Sequence, residues 1–266
     1  MAESTVMEHI VKCIEDKRNF ILDAGAGSGK TYTLIESLNY LIDQNGKQYK
    51  STGQKIACIT YTNVAVDEIK SRILSDTSVH VSTIHGFLWS IIGKYQKELQ
   101  EALILINNKD KNKSRADNLE EKLIGKKIEY VEYRNIEDGK ISHDDVISLS
   151  KILFDKYEKL SRLVVDMYPV IFVDEYQDTD ERVVQILLDI INHHYRDRVL
   201  IGFFGDWMQN IYDTGVGYID SDKKNLKRIA KKENHRSSKS VVNVINHLRQ
   251  DIKQVAVSNI AGSGIW

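Results

Sequence analysis

The chain has 266 residues, 42% of them hydrophobic and 28% charged, enough for one large core or one core with a smaller insertion. Its 37 basic and 38 acidic residues nearly cancel, which excludes a broadly basic body, so any nucleic-acid contact has to come from a local groove. Cys13 and Cys58 match no zinc or CxxC spacing, no apolar run approaches about 18 residues, and the charged start lacks a signal-peptide core; together these predict a cytoplasmic protein with no membrane partner.

In chain order, "FILDA" (20–24) is the first strand candidate, followed by a glycine-rich loop and a helical pattern over Thr31–Gln44. "KIACIT" (55–60) is the next, then a helix over Asn63–Leu74, then "VHVST" (79–83) and a helix over Gly86–Tyr95. Residues 96–166 break the rhythm: they hold no convincing buried strand but many charges, and predict a helical insertion. "VIFVDE" (170–175) restores the alternation, with a helix over Thr179–His193 and a final strand, "VLIGFFGD" (199–206). The strands are mostly continuous in apolar residues, as strands buried on both faces of a parallel sheet are. The single proline, Pro169, stands just before a strand, where it removes no ladder bond. The expected class is α/β, a parallel sheet with helices on both faces.

The chemistry begins in "AGAGSGKT" (24–31). Gly29-Lys30-Thr31 ends a Walker A loop, although the strict pattern has glycine where Ala24 stands. Gly25 and Gly27 let the backbone wrap phosphates closely, and Ala26, Ser28 and Tyr32 complete the loop and the start of the helix. That helix presents free N–H groups to an anion. Lys30 is placed to reach the β- and γ-phosphates of a nucleotide and the Thr31 hydroxyl to ligate Mg²⁺. In "VIFVDEYQD" (170–178) a strand delivers Asp174 and Glu175 to the edge of the sheet where open α/β folds bind ligands. Asp174 is the expected Mg²⁺ partner and Glu175 the group that orients and deprotonates water. No NKxD tetrapeptide occurs, which argues against a GTPase. "GFFGDWMQNIY" (202–212) places Asp206 and Gln209 at the end of the next strand, where a polar group can sense the γ-phosphate.

Taken together, these stretches resemble superfamily 1 DNA helicases of the UvrD/Rep/PcrA type. "AGAGSGKT" looks like motif I, "ITYTNVAVDEIKSRI" (59–73) like motif Ia and "STIHGF" (82–87) like motif Ib. "VDEYQDTD" resembles motif II, "GDWMQNIY" motif III and "ENHRSS" (233–238) motif IV, and "HDDVISLS" (143–150) is similar to the stretch that precedes motif II. The resemblance covers about residues 20–245. It implies a RecA-like P-loop NTPase fold over 1–95 and 167–232, a helical insertion subdomain over 96–166, and the start of a second RecA-like domain over 233–266.

It also implies roles. Gly27, Gly29, Lys30 and Thr31 would bind ATP with Mg²⁺, Asp174 and Glu175 would serve as metal partner and base, and Gln209 would link the γ-phosphate to the DNA groove. Arg236 would be an arginine finger, and His235, in place of the family's tyrosine, would stack on the base. Tyr61, Asn63, Thr83 and His85 match positions facing single-stranded DNA. Glu8 or His9 stands near the place of the family's adenine-reading glutamine. The expected activity is ATP hydrolysis coupled to single-stranded DNA, with 3′–5′ polarity. Motifs V and VI have no counterpart, so the chain is expected to be either truncated or completed by another polypeptide that supplies a second RecA-like half or a nuclease. A nucleotide-gated subunit of DNA repair, or of an anti-phage system of the Gabija kind, is the alternative.

Overall fold

The computed structural model describes residues 5–109, 116–192, 195, 197–211, 215–249 and 251–257. Helix α1 (Val6–Glu15) opens on a capping box in which the Thr5 hydroxyl accepts from the Glu8 N–H while the Glu8 carboxylate accepts from the Thr5 N–H. Glu8 thereby serves the helix start. Strand β1 (Phe20–Ala24) then runs into the glycine loop and helix α2 (Lys30–Thr52). The alternation continues through β2 (Ile56–Thr60), α3 (Asn63–Arg72), β3 (Val79–Thr83) and α4 (Ile84–Ile92).

The insertion comprises α5 (Gln96–Lys109), α6 (Leu119–Lys122), α7 (His143–Lys156) and α8 (Glu158–Met167). Between α6 and α7 lies a small parallel pair, β4 (Glu129–Tyr130) with β5 (Lys140–Ile141). Beyond it come β6 (Val170–Asp174), a short helix α9 (Glu181–Gln185) continued by a π-helical stretch Ile186–Asn192, and β7 (Leu200–Gly205). The last elements are β8 (Lys227–Lys231), β9 (Glu233–Asn234), α10 (Lys239–Leu248) and β10 (Val255–Ala256).

Six strands form one sheet in the order β3-β2-β6-β7-β1-β8, and every neighbouring pair is parallel. Because side chains alternate along a strand, the sheet divides its residues between two cores. Ile21, Ile59, Ile171, Val173 and Phe203 face one side, together with α4, α7, α8 and α9. Phe20, Leu22, Cys58, Phe172 and Phe204 face the other, under α1, α2 and α3. Three edge-to-face rings, Phe20, Phe172 and Phe204, fill the centre of that second face at centroid separations of 5.2–5.9 Å. The insertion is more than a charged outgrowth: Leu99, Leu103, Val146, Leu149, Leu153 and Phe154 belong to the same core as the first face of the sheet.

Several elements differ from the sequence expectation, the expected helices over Asn63–Leu74 and Gly86–Tyr95 by two or three residues at an end. Helix α2 runs past Gln44 to Thr52 and stops at Gly53, which adopts the left-handed conformation of a C-terminal cap. The helix expected over Thr179–His193 begins later, because residues Tyr176–Asp178 form a 3-10 turn and Asp180 caps α9 through the Arg182 N–H; His193 lies outside the described residues. Strand β8 was not expected at all and extends the sheet beside β1.

Parallel pairing gathers the C-terminal ends of β1, β2, β3, β6 and β7 on one edge. Strand β7 lies between β1 and β6, so the loop that follows it is flanked by the glycine loop and by the Asp174-Glu175 pair.

Candidate active site

The glycine loop leaves β1 at Ala24 and turns through Gly27 (φ 77°) and Gly29 (φ 79°) into α2. Both are left-handed positions that glycine adopts without steric cost. At Gly27 a Cβ would also fall 2.8 Å from the Asn234 amide oxygen and 2.9 Å from Arg236 Cβ, so the close approach of the second segment needs glycine there.

Beside this loop lies a cleft of about 350 Å³ lined by Gly25–Tyr32, Glu68, Arg72, Glu175, Gln209 and Arg236. The sequence placed these groups in five separate motifs, and the fold brings them together. Ala24 is buried in the strand and does not line the cleft. His235 is exposed and donates its backbone N–H to Gly27 O at 2.8 Å, but its side chain is not part of the lining.

Asp174 ends β6 deeply buried, and its Oδ1 has no hydrogen-bond partner. Burial, then the neighbouring Glu175 charge, pushes its pKa up to about 7. A desolvated carboxylate oxygen without a donor suits a hard cation, and Asp174 and Thr31 line the same adjoining groove. The donor set therefore fits Mg²⁺ held by one carboxylate, one hydroxyl, waters and phosphate oxygens. Among the described residues no group of three His, Cys, Asp or Glu side chains is placed to hold a metal ion.

Glu175 sits at φ 49°, an unusual conformation for a residue with a side chain, and one that turns it from the strand toward the cleft. Its Oε2 accepts from Lys30 Nζ at 2.5 Å and from Gln177 Nε2 at 2.8 Å. Gln177 is buried, and its amide oxygen accepts the Asp206 N–H at 3.0 Å. Since Asp206 N can only donate there, the Gln177 nitrogen must face Glu175. Gln177 thus joins the end of β6 to the end of β7.

Asn234 makes a second bridge: its nitrogen donates to Ala26 O at 2.9 Å, while its oxygen accepts from the N–H groups of Arg236 and Ser237. The turn that carries Arg236 is thereby fastened to the glycine loop. The sequence reading gave no role to Asn234, Gln177, Glu68 or Arg72. Gln177 and Asn234 lay inside quoted motifs, and Glu68 and Arg72 stand at helical i, i+4 spacing with an ion pair at 2.8 Å.

A second groove of about 590 Å³ adjoins the cleft and shares Thr31, Glu68, Glu175 and Gln209 with it; Tyr61, Thr62, Gln177 and Ile211 complete its wall. Tyr61 is 37% exposed at the end of β2, and Asn63 is exposed at the start of α3. Thr83 ends β3 and His85 lies in the first turn of α4, and neither is in this groove. The Thr83 hydroxyl accepts from the Gly86 N–H as the cap of α4, and the His85 ring packs edge-on against His143 at 4.6 Å. A larger hollow of about 980 Å³ opens at the opposite end of the strands, between Arg18, Asn192 and Lys224. It is remote from every strand end that carries the acids, so the smaller cleft is the site.

The sequence matches the AAA domain family over residues 7–215. It is 33% identical to Gabija protein GajB of Bacillus cereus (strain HuB5-5), an alignment covering 96% of this chain and 50% of that protein. It is 29% identical to ATP-dependent DNA helicase Rep of Buchnera aphidicola subsp. Baizongia pistaciae, over 85% of this chain and 40% of that one. Among solved structures it is similar to Pif1 helicase from Candida albicans, with a TM-score of 0.48 and 17% identity, covering 93% of this chain and 44% of that one. The chain thus spans half or less of the length of each of these relatives. The match across most of the chain, on a parallel sheet whose glycine loop, Glu175 and Gln209 line one cleft, means that this protein belongs to the AAA domain family and is superfamily 1 helicase-like.

Proposed function

We propose that the chain is the ATP-binding part of a DNA helicase or translocase, which hydrolyses ATP and binds single-stranded DNA with 3′–5′ polarity. The observation that carries this reading is the single cleft in which Lys30, Thr31, Glu175, Gln209 and Arg236 converge. In it the glycine-loop N–H groups and Lys30 bind the phosphates, and Arg236 counters charge on the γ-phosphate. Thr31 and Asp174 hold Mg²⁺, which neutralises phosphate charge when bound. Glu175, released from Lys30 and still held by Gln177, orients water and takes its proton. The contiguous groove with Tyr61 receives the strand, where an aromatic ring stacks any base.

The motor needs a second half. Helix α10 leaves Val241, Val244 and Leu248 exposed along one side with only Val242 buried, the face that a further domain would cover. On this reading the protein is cytoplasmic and works with a second RecA-like unit or a nuclease partner. A second reading, a nucleotide-gated DNA-binding subunit in repair or anti-phage defence, is favoured by the likeness to a Gabija protein.

The test is ATP turnover by the purified protein with and without single-stranded DNA, beside Lys30→Ala. DNA-stimulated turnover that Lys30→Ala abolishes supports the motor reading. Tight DNA binding gated by ATP without turnover or unwinding supports the second reading, and a chain that binds neither ligand overturns both.

A further inference from the structure

Arg249 stands outside every motif, yet its side chain is one of the most elaborately paired in the molecule. It is 7% exposed and faces the wholly buried Asp206 through two bonds, Nη1 to Oδ2 at 2.6 Å and Nη2 to Oδ1 at 2.9 Å. The same guanidinium reaches Asp251, Nε to Oδ1 at 3.1 Å and Nη2 to Oδ2 at 2.8 Å. Asp251 in turn accepts the Trp207 indole N–H at 3.0 Å. Asp206 also accepts the Gln209 side-chain amide at 2.6 Å and the Met208 N–H at 3.3 Å. Arg249 therefore grips both ends of the 3-10 turn Trp207–Gln209.

The orientation of Gln209 follows from this. A carboxylate only accepts, so Gln209 must turn its nitrogen to Asp206, leaving its oxygen and one N–H for the cleft. A buried carboxylate stays charged only with a partner, and Arg249 is its ionic one. The segment that carries Arg249 also reaches the phosphate loop. Gln254 donates to Ala26 O at 3.3 Å and accepts from Asn234 at 3.0 Å, and a Cβ at Gly25 would fall 2.9 Å from Arg249 Nη1. Arg249 and Gln254 thus reach the site at the Trp207–Gln209 turn and at the glycine loop.

We propose that Arg249 is a positioning residue that, through Asp206, holds Gln209 toward the γ-phosphate, and that Arg249 and Gln254 together keep this sensor in register with the phosphate loop. The proposal rests on the reading of the cleft as an ATP site. It assigns Arg249 an effect on recognition of the third phosphate and none on the first two.

The experiment is equilibrium binding of ADP and of a non-hydrolysable ATP analogue to the purified protein and to Arg249→Met, Arg249→Lys, Gln209→Ala and the Arg249→Met/Gln209→Ala pair. A charged hydrogen bond lost at the γ-phosphate lowers affinity for the analogue about tenfold, while ADP affinity stays within about twofold. Arg249→Lys keeps one ion pair and recovers part of the loss. In the Gln209→Ala background Arg249→Met costs nothing more, because the group it positions is gone. Equal weakening of ADP and analogue, or the same added loss in both backgrounds, overturns the proposal and leaves the ATP reading standing. Should Arg249→Met fail to fold by circular dichroism, Arg249→Lys decides by the same two ligands. A parent protein that binds neither nucleotide overturns the ATP reading and the proposal with it.

Discussion

The Lys30 ammonium lies 2.5 Å from the Glu175 carboxylate, so the cation proposed to bind phosphate is paired with the group proposed as the base. The pair is partly screened: Lys30 is 10% exposed and Glu175 37%. An arriving triphosphate competes for Lys30, and Glu175 remains held by Gln177 at 2.8 Å. On the proposed function, nucleotide binding and freeing of the base would then be the same event. Glu175→Gln, which removes the competitor's charge and the base together, is expected to bind ATP at least as tightly as the parent while turnover falls by about 10²–10⁴. Lys30→Ala loses both, with affinity down by about 10–100-fold. Isothermal titration beside a steady-state ATPase assay checks the pair; undiminished turnover in Glu175→Gln would remove Glu175 from the role of base.

Gly27 gives a second test, on backbone rather than charge. Its φ of 77° strains any side chain by about 1–2 kcal/mol, and the added Cβ meets Asn234 and Arg236. Gly27→Ala is expected to loosen the Asn234 bridge that fastens the Arg236 turn to Ala26. ATP affinity should fall together with the thermal midpoint. A variant with unchanged ATP affinity would show that the loop tolerates the turn moving away.

Much of this was legible in the sequence because burial on both faces leaves a plain signature. Four of the five expected strands are mostly apolar, the exception being the edge strand Val79–Thr83, and all five form. Strand β8, Lys227–Lys231, has one large apolar residue, Ile229, among three basic ones at the sheet edge, a pattern that carries little strand signal without knowing that β1 has a free side. Helix α2 outran its expected end because Asn45-Gly46 resembles a turn, whereas Gly46 is buried in the helix with Ser78 beside it. The cleft itself was anticipated motif by motif. Its bracing was not: Asp206 meets Arg249 across 43 residues and Ala26 meets Asn234 across 208, and no local pattern encodes such pairings.

His85, matched by resemblance to a DNA-facing position, has a physical consequence that needs no DNA. Burial chiefly, then the facing His143, lowers its pKa to about 4, with Asp144 and Asp180 opposing. The unfolded chain, with an ordinary value near 6.5, binds the proton more readily, so folding stability contributed by neutral His85 is full above that value and is lost as pH falls from about 6.5 to about 4. Discounted for its partial exposure, the loss is about 1–2 kcal/mol. Urea midpoints at pH 7 and pH 4.5 should draw closer in His85→Gln than in the parent. An identical acid-induced drop in both would assign the effect to other groups.

Tyr61 separates stacking from charge in the proposed strand path. It lines the groove that shares Thr31, Glu175 and Gln209 with the nucleotide cleft, so a base seated on it would lie within one continuous wall of the reacting phosphates. Removing the ring should cost about 1–3 kcal/mol of single-strand affinity, roughly 5–150-fold. Stacking neutralises no phosphate, however, so the slope of log affinity against log salt should be the same in Tyr61→Ala and the parent. Tyr61→Phe should retain most of the binding. Fluorescence anisotropy with a short oligonucleotide at several salt concentrations measures both quantities. A parallel shift of the salt line is the expected result. A flattened line would mean that Tyr61 supports a phosphate contact, and an unmoved one would place the strand outside this groove.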